Sequence, residues 1–311
     1  MNDNTDKILV ALDGSERAFR TIRYICSFKP FLKKKLVLHN VITKVPMCYY
    51  DLKKDPFSAN VTSEVYAWES SYKARIEDFM EKARMQLIAA GFKPGNISVV
   101  ITERKNGIAR DIMDEVKKGY NALLIRRRGG SRTLLPIIMG SVSTKLVEKA
   151  DQVPVMLAGI QKVNHSLLLA IDGSEGSNRA VKFTADMIKD SDCRVVLCSV
   201  LRDFDLYDDE KARKAKPAGF VKALFEELEH AIQSAETTFE NSGIQKKRIT
   251  VKLIQGADSR SEAIISAAME EKCDTLVFGR KGKSNVDNFD IGTIPWKAIQ
   301  GAREMTVWIV P

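Results

Sequence analysis

Between Cys273 and Thr293 the chain reads CDTLVFGRKGKSNVDNFDIGT, with glycines spaced for phosphate chemistry. An apolar run, Thr275 to Phe278, opens into Gly279-x-x-Gly282, and nine residues separate Gly282 from Gly292-Thr293, where a helical pattern begins. A strand that runs into glycines and then into a helix N-terminus can cradle an anion. Glycine lets main-chain N–H groups approach closely, and the first helical turn leaves donors unpaired at the positive end of its dipole. Thr293 adds a hydroxyl and Arg280 a positive charge. Asp287 and Asp290 in the intervening span would repel a polyphosphate unless Mg²⁺ neutralised them; as plain solvated loop acids they would do neither. The same arrangement also serves tight strand–helix packing with no ligand.

The chain shows the scaffold for such a loop twice. KILVALDGSERA (Lys7 to Ala18) returns as SLLLAIDGSEGSNRA (Ser166 to Ala180), so that Asp13-Gly14-Ser15-Glu16 matches Asp172-Gly173-Ser174-Glu175 at an offset of 159. LVLHNV returns as VVLCSV, placing Val41 opposite Val200, and Gly140-Ser141 matches Gly292-Thr293 at an offset of 152. The pattern predicts two tandem units, residues 1–160 and 161–311. In the second, strands are expected over Leu167–Ile171, Val195–Val200, Ile249–Ile254, Thr275–Phe278 and Met305–Val310. Helices are expected from a Ser174 N-cap to Lys189, over Phe220–Glu240 with Gly243 ending it, over Ser261–Glu271, and from Thr293. Strands alternating with helices make an α/β fold, a doubly wound unit with a five-stranded parallel-type sheet and four helices. Ligands in such sheets bind outside the strands' carboxyl ends, where the strand order reverses, so the Asp172 turn and the Gly279 loop can meet in one crevice.

Composition excludes several classes. The 311 residues carry a net charge of +9, with 27 Lys/Arg against 17 Asp/Glu in residues 1–160 and near balance afterwards. The excess sits in short clusters such as Lys33-Lys34-Lys35 and Arg126-Arg127-Arg128, not in a basic stripe interleaved with aromatics, which argues against nucleic acid. No apolar run approaches the ~18 residues of a membrane span. MNDNTDK has no apolar export segment, and five cysteines without a CxxC pair suit a reducing cytoplasm. The three histidines match no metal-ligand spacing.

A unit of about 150 residues that begins ILVALDGSE and carries G-x-x-G, nine residues and G-[S/T] before its last helix resembles the universal stress protein family. The resemblance covers both halves and implies Rossmann-like units that commonly pair through their last strands. Family members divide into those that bind ATP through the glycine motif and those that lack it. Carried over by position, it implies that Asp172 sits at the adenosine end and that Val200 lines the adenine pocket. Gly279, Arg280 and Gly282 would wrap the ribose and phosphates, and Gly292 and Thr293 would hold phosphate at the helix start. The nucleotide could be ATP, ADP or AMP, with Mg²⁺ for the more charged species.

The first half departs from the motif. Its loop, NALLIRRRGGSRTLLPIIMGS, puts Arg126 opposite Gly279 when aligned from the strand, and Arg127 there when aligned back from Gly140-Ser141. Asp13, Val41, Gly129, Gly130, Gly140 and Ser141 remain as weaker candidates. The arginines would bind a smaller anion, point to solvent or fill the site themselves. Three functions compete: a nucleotide-binding regulatory protein, a partner-binding scaffold with an idle loop, and an enzyme such as an adenylyl transferase or a slow ATPase. The last finds no SGGxDS loop, no HxGH pair and no P-loop. Fusion would supply internally the pairing of Val153–Leu157 with Val307–Val310, and a homodimer is expected beyond it. The aromatic segment Tyr49 to Trp68 is expected to pack at a helix entry or to form a lid or partner surface, and Asp203 to Lys216 to be exposed.

Overall fold

The computed structural model describes residues 6–43, 59–127, 139–202, 218–283, 290–302 and 304–311. The first half contributes β1 (Lys7–Ala11), α1 (Phe19–Ser27), β2 (Lys35–Ile42), α2 (Ala59–Ala89), β3 (Ile97–Glu103), α3 (Ile108–Val116), β4 (Ala122–Arg126), α4 (Ser141–Lys149) and β5 (Val155–Ala158). The second half repeats the order with β6 (Ser166–Ala170), α5 (Glu175–Ile188), β7 (Arg194–Arg202), α6 (Ala218–Asn241), β8 (Ile249–Ala257), α7 (Arg260–Glu270), β9 (Thr275–Gly279), α8 (Thr293–Gly301) and β10 (Thr306–Val310).

The ten strands form one sheet in the order β3-β2-β1-β4-β5-β10-β9-β6-β7-β8. Within each half every pairing is parallel, and the order reverses between the first and fourth strands of the unit. The halves join where β10 runs antiparallel to β5, with Val307 opposite Leu157, Trp308 opposite Met156 and Ile309 opposite Val155. The expected internal pairing of last strands is therefore present, and it fuses the two units into one sheet.

The central strands are near-continuous apolar runs because helices cover both faces. Trp308 is fully buried at the seam. Its ring meets Phe28 of the first half edge-on at 5.6 Å and Phe183 of the second at 5.9 Å. One core thus crosses the repeat boundary. Gly243 (φ +85°) ends α6 as expected, its left-handed backbone letting Ile244 N–H donate back to the Phe239 carbonyl. Trp68 is half exposed on α2 and stacks on Tyr72 at 5.4 Å, whereas Tyr49 to Phe57 and Asp203 to Lys216 lie outside the described residues. Among the described residues no helix is long and apolar enough to cross a membrane.

Candidate functional site

A cavity of about 620 Å³ opens at the carboxyl ends of β6, β7 and β9. Asp172, Val200, Gly279, Gly282, Gly292 and Thr293, distant in sequence, all line it. The parallel topology brings them together, since each follows or ends a strand on the same edge of the sheet. Leu224 and Leu228 of α6 supply an apolar wall opposite Val200 and Ile264. Lys281, Lys283, Lys297 and Arg260 give the lining an excess of cations over the carboxylates Asp172 and Asp258. Lys283 Nζ lies 2.7 Å from Glu227 Oε1 and so ties the glycine loop to α6.

The two ends of the cavity are built differently. At one, Asp172 Oδ1 accepts the Ser174 amide at 3.0 Å, and Oδ2 accepts the Lys283 amide at 3.3 Å. Ser174 Oγ caps α5 by accepting the Ser177 amide at 3.1 Å, as its sequence position predicts. At the other end Gly292 enters α8 with extended backbone, and no side chain caps this terminus. The Thr293 and Ile294 amides head a helix whose start lines the cavity, with a proline, Pro295, at the next position. A phosphate fits that donor set.

The glycines act in two ways, one of them not as the spacing suggests. A Cβ at Gly282 would lie 2.5 Å from Asp172 Oδ2, so this glycine leaves room for the Asp172 carboxylate in the cavity wall. A Cβ at Gly279 would instead lie 2.7 Å from the Gly176 carbonyl oxygen and the Ser177 amide nitrogen, main chain of the first turn of α5. A Cβ at Gly176 would in turn strike the Lys281 carbonyl oxygen. Gly279 thus makes room for a helix, the packing role that the motif left open.

Arg280 requires a correction. Its side chain is buried and turned away from the cavity. Nε donates to the Asp290 carbonyl at 2.7 Å, Nη1 to the Ala150 carbonyl at 3.0 Å and Nη2 to the Glu148 carbonyl. Those last two carbonyls end α4 of the other half, where a cation is favoured by the helix dipole. It therefore supplies no charge to the cavity. Asp290 also faces the first half, with Oδ2 2.7 Å from Lys149 Nζ. Asp287 lies outside the described residues.

Arg127 does for α8 what Arg280 does for α4. It is 2% exposed, and its guanidinium donates to the carbonyls of Ile299, Ala302 and Met305. Burial pulls its pKa down to about 10, which still leaves it a cation at neutral pH. The matching main-chain bonds, Arg127 N–H to Ala158 and Arg280 N–H to Val310, fix the repeat register, with Arg126 opposite Gly279.

In that register Arg126 sets a cation against the first half's counterpart of Asp172. Arg126 Nη2 lies 3.0 Å from Asp13 Oδ2, and Ile76 of α2 packs against Gly14. Burial works against the charged Asp13 carboxylate, but the Ser15 hydroxyl and amide and the Arg126 guanidinium outweigh it and hold its pKa low. Val41 is buried, and Gly140 enters α4 at Ser141 with the same extended backbone as Gly292. Gly129 and Gly130 lie outside the described residues.

Sequence reasoning missed Gly176, Lys281, Lys283, Arg260 and Lys297. For Gly176 a signal existed, since Arg17 replaces it where Arg126 replaces Gly279. Among the described residues no group of three or more His, Cys, Asp or Glu is placed to hold a metal ion.

Comparison with known proteins agrees with the repeat. No curated protein matches. The chain is similar over its full length to a universal stress protein from Archaeoglobus fulgidus DSM 4304, with 18% identity, 98% of each chain covered and a TM-score of 0.63. A functionally unknown protein from Pseudomonas aeruginosa PAO1 gives 14% identity, 98% and 92% coverage and a TM-score of 0.59. A universal stress protein solved in complex with cAMP matches 47% of this chain and 95% of its own, at 21% identity and a TM-score of 0.33. The family model described as "Universal stress protein family" matches twice, over residues 4–158 and 164–311, and the chain belongs to that family as a tandem, two-unit member.

Proposed function

We propose that the second half binds an adenine nucleotide, ATP, ADP or AMP, and that the chain is a cytoplasmic regulatory protein of the stress response that associates further into a homodimer. The observation that carries this reading is the convergence of Asp172, Val200, Gly282, Gly292 and Thr293 on one cavity of about 620 Å³. Its size suits a nucleotide, with an apolar wall for a base and a carboxylate for a ribose. The uncapped start of α8 suits phosphate. Lys281 and Lys297 add charge for a phosphate tail, and a Mg²⁺ ion would ride on the tail itself. The first half, with Arg126 on Asp13, is assigned no nucleotide.

The test is direct. Protein purified from cells is denatured and the released small molecules separated by anion exchange, with calorimetric titration of ATP, ADP and AMP alongside. Gly282→Trp, which drives a ring into Asp172, abolishes binding, whereas Gly129→Trp leaves it unchanged. Absence of both copurified nucleotide and titratable binding sinks the reading and leaves the scaffold function. Loss on Gly129→Trp moves the site to the first half.

A further inference from the structure

The run Arg126-Arg127-Arg128 is a sequence feature that the nucleotide reading does not absorb. Arg126 is spent on Asp13. Arg127 points across the repeat boundary and binds the end of the helix whose beginning lines the cavity.

That helix, α8, has only nine residues and is tied down at both ends. At its start, Gly292 N–H donates to the Arg280 carbonyl at 2.8 Å. At its end, the Ile299, Ala302 and Met305 carbonyls converge on the Arg127 guanidinium. The Arg280 side chain meanwhile grips the end of α4, the helix that begins at the first half's Gly140-Ser141. Arg127 and Arg280 thus each hold the C-terminal end of the other half's last helix, and the clasp is reciprocal.

We propose that Arg127, a residue of the first half, is a positioning residue for the nucleotide site of the second half. This rests on the reading of that cavity as a nucleotide site. The effect is placement, not field. Nine residues at 1.5 Å rise span about 13 Å, so the guanidinium lies too far from the helix start to touch a phosphate there. What it controls is where a short helix aims its first amides. Donor geometry held by a supporting shell decides how well such a site works, and looseness of about 1 Å is enough to spoil it. Nη1 donates to the Ala302 and Met305 carbonyls and Nη2 to the Ile299 carbonyl, a two-nitrogen fork that the single ammonium nitrogen of lysine does not reproduce. On this account the second half needs the first to complete its pocket.

The experiment uses the full chain with Arg127→Met, Arg127→Lys and, as a control, Arg126→Met. Calorimetric titration of Mg-ATP gives Kd, circular dichroism reports the fold, and thermal unfolding without nucleotide gives Tm. Arg127→Met raises Kd about tenfold or more, and Arg127→Lys, which keeps the charge but not the fork, raises it about threefold. Arg126→Met stays within about twofold of wild type, because its side chain faces Asp13 and not α8. A merely structural role would lower Tm in the Arg127 variants and leave Kd of the folded protein unmoved; that split overturns the proposal. If Arg127→Met does not fold, wild-type affinity in Arg127→Lys overturns it alone. Absence of binding by the wild-type chain removes the nucleotide reading and this proposal together. Binding by wild type and by both Arg127 variants with equal Kd removes only the proposal.

Discussion

Replacing Gly279 by alanine separates two explanations of the same glycine. If the residue admits ligand, the variant folds normally and loses affinity; if it admits a helix, the protein itself is destabilised. The new Cβ would lie 2.4 Å from the Gly176 carbonyl carbon and 2.7 Å from its oxygen and from the Ser177 amide nitrogen, where ordinary contact begins at 3.4 Å, so the strand end and α5 must part by about 1 Å. All three obstructing atoms are main chain and cannot rotate aside. β9 is held by parallel ladders to β6 and β10 on its two sides, which leaves α5 to move. Overpacking of this kind costs about 1–3 kcal/mol. Displacing the first turn also weakens the Ser174 cap, worth about 1 kcal/mol. Together these come to about 2–4 kcal/mol, and at about 2–4 °C per kcal/mol Tm falls by about 4–16 °C. Differential scanning calorimetry without nucleotide measures it. Gly282→Ala is the control, because its Cβ meets only a carboxylate oxygen of Asp172 that can swing away, and Tm moves by less than about 2 °C. An unchanged Tm in Gly279→Ala, with weaker nucleotide binding, refutes the packing account.

Two further outcomes follow from the titratable groups. Asp13 has a depressed folded pKa, so the unfolded chain binds its proton first as pH falls; the stability from its ionised form is present above about pH 4 and lost as pH drops through the folded value. Arg126→Met removes one of the groups that depress it, so urea titrations between about pH 5 and pH 2.5 show a shallower acid loss, with less than about 1 kcal/mol lost at neutral pH because the pair is partly exposed; an unaltered acid limb contradicts this. Burial pushes the thiols of Cys198 and Cys193 up to about 12 and about 11, and both are fully buried. Peptide mapping after iodoacetamide at about pH 8 finds both unmodified in the native protein and both modified in denaturant; labelling of either in the native state refutes their burial.

Much of the fold was legible because parallel strands buried on both faces must be apolar throughout, and because the repeat shows each element twice. The cap at Ser174 and the helix start at Thr293 fall where sequence puts them. Arg280 was legible as a residue but not as a direction. Its partners, Glu148 and Ala150, lie in the other half, and only the antiparallel join of β5 and β10 brings them near. The same ambiguity affected the first-half register, since a one-residue length difference between the loops allows two alignments. Sequence cannot choose between them; the main-chain bond from Arg127 to Ala158, matching that from Arg280 to Val310, does.

The difference between the halves begins beneath the loop. Gly176 and Gly279 lie in the contact between α5 and the end of β9: Gly279 leaves room for the Gly176–Ser177 main chain, and Gly176 leaves room for the Lys281 main chain. The first half has Arg17 and Arg126 at these positions, and two side chains cannot share that space. Its helix accordingly opens with a 3₁₀ turn, Glu16–Ala18, and becomes α-helical only at Phe19, whereas α5 is helical from Glu175. Ser15 therefore caps nothing and donates its hydroxyl to Asp13 Oδ1 at 2.6 Å, while Ser174 accepts the Ser177 amide. Asp13 is then held from one side by Ser15 and from the other by Arg126, at the position that Gly279 takes in the second half. Glycine restored at 126 alone would remove the cation but leave Arg17, the delayed helix and Ile76 against Gly14. The Arg126–Asp13 pair thus belongs to the packing between a strand end and a helix start, and only coordinated change at both would reproduce the second half's arrangement.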